Sequence, residues 1–282
     1  MMMNQSKSIS ISLFLLLLLQ ILHPTPITAQ EVEDEGEFDY LKDSEKGPEH
    51  WGELREEWAA CKNGTQQSPI DLLSKIVKVH PNKGEVRLKY KPSNATIRNR
   101  GHDISIQWKL GDAGSLEING TDYWLDQGHW HSPSEHTING KRFDLELHMV
   151  HLIPDANVEN NIVVVANLYN IGKPDKFLSE VSKEIKSMID VKEERHIGVV
   201  DPRNVRKGSA NFYKYKGSLT VPPCTEGVTW IIDKELTTVS REQRDLLREA
   251  VYDSAELNAR PLQALNGRDV QYFHGHESHI RD

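Results

Sequence analysis

Residues 123–137 read YWLDQGHWHSPSEHT, and residues 143–151 read FDLELHMVH. In the first stretch aromatic, apolar and polar side chains alternate up to His131, and a strand turns successive side chains to opposite faces. His129 and His131 therefore share one face, with Gln127 two positions before them. The same period puts Glu146, His148 and Val150 on one face of the second stretch. The turn signal Asn139-Gly140 lies between the two segments, so the reading is a strand pair that sets His148 opposite the His-x-His motif. Three imidazoles with a fourth position left open is the donor set of a catalytic zinc site, whereas structural sites are closed by four protein ligands. Metal-bound histidines usually anchor their second ring nitrogen on an acceptor, and Gln127 and Glu146 each stand two residues before a candidate ligand.

Working outward, further short runs with strand character are punctuated by Gly, Asn and Pro: EVRLKY from 85, ATIRN from 95, DISIQW from 103, LEIN from 116 and NIVVVANLY from 161. Helical spacing occurs in DKFLSEVSKEIKSMID from 175, where Phe177, Val181, Ile185 and Met188 fall on one face. It recurs in SREQRDLLREAVY from 240, where Ser240 and Gln243 fit a capping box. This predicts a mainly β, α+β fold: one domain on a large, twisted, mostly antiparallel central sheet with short peripheral helices.

The 282 residues carry 34 Lys and Arg against 42 Asp and Glu, a formal net charge of -8. That balance argues against nucleic acid as a partner, which calls for basic stripes. Residues 1–29 have Lys7 near the start, an apolar run Leu13 to Leu19, and small residues at Thr28 and Ala29, the pattern of a secretory signal peptide. The run is too short for a membrane span, and Pro24 and Pro26 follow it. Residues 30–37 read as an acidic, solvated tail, 38–270 as the folded domain, and 271–282 as a polar C-terminal tail whose His274, His276 and His279 are solvated or adventitiously metal-binding, not catalytic. Cys61 and Cys224 are the two cysteines, and on a secretory route they most simply form one disulfide. The sequons at Asn63, Asn94 and Asn119 suit the same compartment.

Seven blocks in order, GPEHWGEL (47), QSPIDL (67), NRGHDI (99), HWHSPSEHT (129), ELHMVH (146), GSLTVPPCTEGVTW (217) and NARPLQ (258), resemble the alpha-class carbonic anhydrases, most closely the plant members. The resemblance implies that fold and a zinc enzyme that reversibly hydrates carbon dioxide to bicarbonate and a proton by attack of zinc-bound hydroxide. It makes His129, His131 and His148 the zinc ligands, with Gln127, Glu146 and the backbone carbonyl of Asn258 behind them. Thr220 is then the residue that accepts a hydrogen bond from the hydroxide and donates to Glu135, and His102 is the proton shuttle. Val150, Val164, Leu219, Thr220, Val221, Val228 and Trp230 match the substrate pocket, and Cys61 and Cys224 fall where extracellular relatives place their disulfide. The family also contains storage or binding proteins, the alternative function, but those typically have damaged ligands or gate, and both are intact here. The implied destination is the cell exterior or apoplast, with the chloroplast stroma reached by the secretory route as the alternative.

The sequence departs from well-studied animal members at Gly128 and Ser132, which carry aromatics there, and at Arg100, Ser105 and Val221 along the cavity. These departures leave open what packs behind the ligands and how the proton leaves.

Overall fold

The computed structural model describes residues 37–80, 86–155, 158, 161–189, 191–205 and 211–274. The expected signal peptide, nearly all of the acidic tail, His276 and His279 lie outside the described residues. Within them, thirteen strands join in one sheet. Its main path runs Glu194–Val200, Ser93–Asn99, Ile104–Trp108, Thr121–His131, Leu145–Leu152, Ile162–Ile171, Glu226–Asp233, Asn211–Ser218, Gln271–His274 and Lys78–His80. Neighbours are mostly antiparallel. The parallel exceptions are Ile162–Ile171 with Glu226–Asp233 and with Thr237–Val239, and Gln271–His274 with Lys78–His80.

The sheet separates two apolar layers. On one side Ile97, Ile106, Trp108, Leu125, Leu147 and Val165 pack under both longer helices. On the other, Val150, Val164, Tyr215, Val228 and Trp230 form the second layer. The helices are Lys176–Lys186, whose first turn is capped by the Asp175 carboxylate, and Arg241–Ala250, where Ser240 and Gln243 form the reciprocal capping box expected from the sequence. Their starts are tied together, because the Gln243 amide accepts from the Asp175 N–H and donates to the Asp175 carbonyl. No described helix is long and apolar enough to cross a membrane.

Two features differ from the expectation. Residues 271–274, placed in the polar C-terminal tail, form a strand within the sheet, with Phe273 stacked between Phe212 and His80 and His274 hydrogen-bonded to Asn211. Pairing along both edges and aromatic stacking compensate there for weak local apolarity. The strands Asn211–Ser218 and Glu226–Asp233 have no counterpart among the runs picked out above. In the first, Phe212, Lys214 and Lys216 share a face, which blurs the apolar alternation.

Candidate metal centre

The central strands set the site by register. His148 lies directly opposite His129, Glu146 opposite His131 and Val150 opposite Gln127. On the other side of His129, Ser105 is its register partner. Asn139 and Gly140 both adopt positive φ, 51° and 77°, as a two-residue turn between Ile138 and Lys141 requires.

The rings of His129, His131 and His148 are buried, with centroids 4.6 to 5.1 Å apart. Each offers a ring nitrogen within 4.8 Å of the others. The opposite nitrogen of each is spoken for. His129 donates from Nδ1 to the Gln127 amide oxygen at 2.8 Å, His131 from Nδ1 to the Asn258 carbonyl at 2.8 Å, and His148 from Nε2 to Glu146 Oε1 at 2.8 Å. Those bonds select the tautomers that leave one lone pair per ring facing its neighbours. The Nε2 atom of His131 is buried without any hydrogen-bond partner, an expensive arrangement in a closed core that coordination would relieve. The donor set therefore fits zinc.

Burial pushes His148 below the ordinary histidine range, toward the neutral ring that a metal needs. At His131 burial acts the same way, but the Glu135 carboxylate and the Asn258 carbonyl outweigh it and raise the ring's pKa. Glu146 would be raised by burial alone, yet His136 and His148 hold it well below the usual carboxylate range. It accepts four hydrogen bonds: the N–H groups of Glu135 and His136 at Oε2, and the rings of His136 and His148 at Oε1.

A buried polar chain continues from there, and sequence reasoning missed it. His136 Nε2 lies 2.7 Å from the Tyr215 hydroxyl, which lies 2.7 Å from Ser68 Oγ. Burial raises the Tyr215 pKa, so the phenol keeps its proton within this chain. The one available signal was the third histidine of HWHSPSEHT. It follows the strand's end, where the period-two rule no longer assigns a face.

Thr220 and Glu135 are both buried. Glu135 Oε1 accepts the Arg260 N–H at 2.9 Å, while Oε2 has no hydrogen-bond partner and lies 3.7 Å from His131 Nε2 and 4.0 Å from His148 Nε2. The expected bond from Thr220 to that oxygen is not formed. Val150, Val164, Leu219, Val228 and Trp230 gather in one apolar cluster, with the Trp230 ring 4.8 Å from that of His148. Val221 does not join them. It packs with Phe38, Trp51, Trp58 and the Cys61–Cys224 disulfide.

His102 is 2% exposed, its ring 5.2 Å from Phe38 and its Nε2 3.6 Å from Asp103 Oδ2. Asp103 in turn takes two hydrogen bonds from Arg100, at 2.7 and 2.5 Å. Two further departures are also accounted for. A Cβ on Gly128 would come 2.8 Å from the sulfur of Met149, so Met149 fills the space behind the ligands. Ser132 accepts from Arg248 at 2.8 Å.

Comparison with known proteins assigns the chain to a family. The family described as eukaryotic-type carbonic anhydrase matches residues 46–274. The chain is 52% identical to carbonic anhydrase Nec1 of Nesocodon mauritianus, over 98% of this chain and 99% of the relative. It is 50% identical to alpha carbonic anhydrase 7 of Arabidopsis thaliana, over 86% and 87%. Among solved structures, dioscorin complexed with ascorbate superposes with a TM-score of 0.81 at 43% identity, covering 86% of this chain and all of that one.

Proposed function

The chain belongs to the eukaryotic-type carbonic anhydrases, and from that membership we propose that it hydrates carbon dioxide at a zinc ion held by His129, His131 and His148. The observation that carries the reading is the set of three convergent nitrogens whose opposite nitrogens are all fixed by acceptors. Zinc in such a site supplies a Lewis acid that makes hydroxide available near neutral pH, chemistry for which carbonic anhydrases are the reference case.

The remaining steps fall to the protein. Gln127, the Asn258 carbonyl and Glu146 keep the three rings oriented. The Thr220 hydroxyl, once turned to donate to Glu135 Oε2, presents its oxygen only as an acceptor and so orients the reacting oxygen's lone pair toward carbon dioxide. Val150, Val164, Leu219, Val228 and Trp230 form an apolar wall suited to a neutral, linear substrate. His102 takes the proton through water and passes it to buffer, with the Asp103 carboxylate 3.6 Å from its Nε2. Because the ring is buried behind Phe38, release requires it to swing outward.

The disulfide supports an oxidising compartment, and we assign the protein to the secretory pathway and the cell exterior. Asn63, Asn94 and Asn119 are exposed and would carry N-glycans. A second reading, storage or ligand binding on the same scaffold, draws on the likeness to dioscorin. Zinc analysis combined with stopped-flow carbon dioxide hydration separates the two. The enzyme reading expects one zinc per chain, rapid hydration, and loss of both in His131→Ala; stoichiometric zinc with no hydration favours the second.

A further inference from the structure

Arg260 is 1% exposed, and its guanidinium is held by backbone carbonyls and an amide oxygen. Burial pushes its pKa down to about 10. An arginine held this way needs backbone carbonyls to replace its hydration, and their identity is informative. Nη2 donates to the Cys61 carbonyl at 2.9 Å; Nη1 donates to the Ser68 carbonyl and to the Gln67 amide oxygen, both at 2.8 Å. Gln67 in turn donates from Nε2 to the Cys224 carbonyl at 3.1 Å. One guanidinium thus reads both halves of the Cys61–Cys224 disulfide, directly on one side and through a single amide on the other. The Trp51 ring lies 5.6 Å beneath it and closes the arrangement.

The same residue reaches the metal centre through its main chain, since the Arg260 N–H is the donor that holds Glu135 Oε1 at 2.9 Å. Two residues earlier, Asn258 supplies the carbonyl that fixes His131. Cys224 also belongs to the loop that carries Thr220, where its N–H bonds to the Val221 carbonyl and the Leu219 N–H to the Thr225 carbonyl.

We propose that Arg260 is a positioning residue: anchored on the Cys61 carbonyl directly and on the Cys224 carbonyl through Gln67, its side chain fixes the backbone N–H that aims Glu135, so the disulfide and the carboxylate act as one unit. The inference rests on the role given to Glu135 above. If Arg260 only packs, its loss and the loss of the disulfide lower stability independently.

The test is a double-mutant cycle on zinc-loaded protein, comparing Arg260→Lys, Cys61→Ser/Cys224→Ser and the triple variant, with Glu135→Gln as control. The readouts are kcat and KM for carbon dioxide in strong buffer, zinc content and Tm. A lysine cannot span the Cys61 and Ser68 carbonyls together, so Arg260→Lys is expected to lower kcat by about tenfold to a hundredfold, the scale of a misplaced reacting group, with KM nearly constant and zinc retained. Removing the disulfide lowers kcat comparably, and the triple variant is no slower than either, because coupled residues are non-additive. Additive losses in kcat, or a fall in Tm alone, overturn the proposal. Should Arg260→Lys fail to fold, Gln67→Leu cuts the Cys224 branch, together with the Gln67–Glu226 bond, while leaving Arg260 on Cys61, and its kcat loss must likewise merge with that of the serine pair. A Glu135→Gln variant of unchanged kcat sinks the role of Glu135 itself; a slow Glu135→Gln beside a normal Arg260→Lys sinks only the relay.

Discussion

Glu146 Oε1 is shared by two imidazoles, accepting from His148 Nε2 at 2.8 Å and from His136 Nδ1 at 2.7 Å. The other oxygen of the same carboxylate holds the N–H groups of Glu135 and His136. A single buried anion therefore fixes the tautomer of one ligand and the turn that carries Glu135. Its removal acts on metal binding first. Glu146→Ala is expected to weaken zinc affinity by about 10- to 100-fold, the usual cost of losing an orienting partner behind a metal ligand. Competition with a chelator of known affinity checks this, and an unchanged affinity refutes it.

Thr220 should behave in the opposite way, since it stands among no ligand's partners. Thr220→Ala is expected to keep full zinc while kcat/KM for hydration falls by about 100-fold, typical of deleting one group that orients charge in the transition state. Thr220→Ser retains the hydroxyl and should recover most of the rate. Zinc analysis beside stopped-flow hydration makes the comparison; a fully active alanine variant removes Thr220 from the mechanism.

These contrasting roles follow the limit of what was legible in the sequence. Strand periodicity located His129, His131 and His148 and put Gln127 and Glu146 behind two of them, because each relation spans two residues of one strand or a pair across a turn. The rule cannot serve His131, whose second residue upstream is another ligand. Its acceptor is the carbonyl of Asn258, 127 positions away, a main-chain atom that only the family resemblance could supply. Tyr215 and Ser68 were hidden for a related reason: their side chains look ordinary in a strand and a loop until packing brings them to His136. Arg100 gave a different difficulty. Its pairing with Asp103 is only three residues long, but nothing local indicates that both side chains are buried.

That buried pair sets an acid response. Burial alone would raise Asp103, but Arg100 above all, then His102 and His129, hold it far below the ordinary carboxylate value. A depressed folded-state pKa contributes stability that is present above the unfolded value of about 3.9 and is lost as pH falls toward the folded one. Asp103→Asn leaves Arg100 without its counter-ion and is expected to cost about 3 kcal/mol at pH 7, in the range for breaking a buried pair. The gap between variant and parent should close as pH drops below about 4, where the unfolded parent begins to bind the proton that its native form refuses. Melting curves of both proteins from pH 7 to pH 3 supply the test; a constant gap contradicts the assignment.

The last prediction concerns the proton's exit. His102 meets two requirements of a relay: an imidazole can both take up and release a proton, and an acidic neighbour, Asp103 Oδ2, lies 3.6 Å from Nε2. The third requirement, access to buffer, is obstructed by the Phe38 ring at 5.2 Å. His102→Ala should therefore lower kcat in weak buffer while leaving kcat/KM nearly intact, because proton release follows the chemical step, and added imidazole should restore the rate. Phe38→Ala unroofs the ring and is expected to raise kcat in weak buffer if outward motion limits release. Its effect must vanish in the His102→Ala background, since the aromatic acts only through the histidine. A Phe38→Ala gain that persists without His102 would assign the exit to solvent entering past the N-terminal segment and remove the histidine from the path.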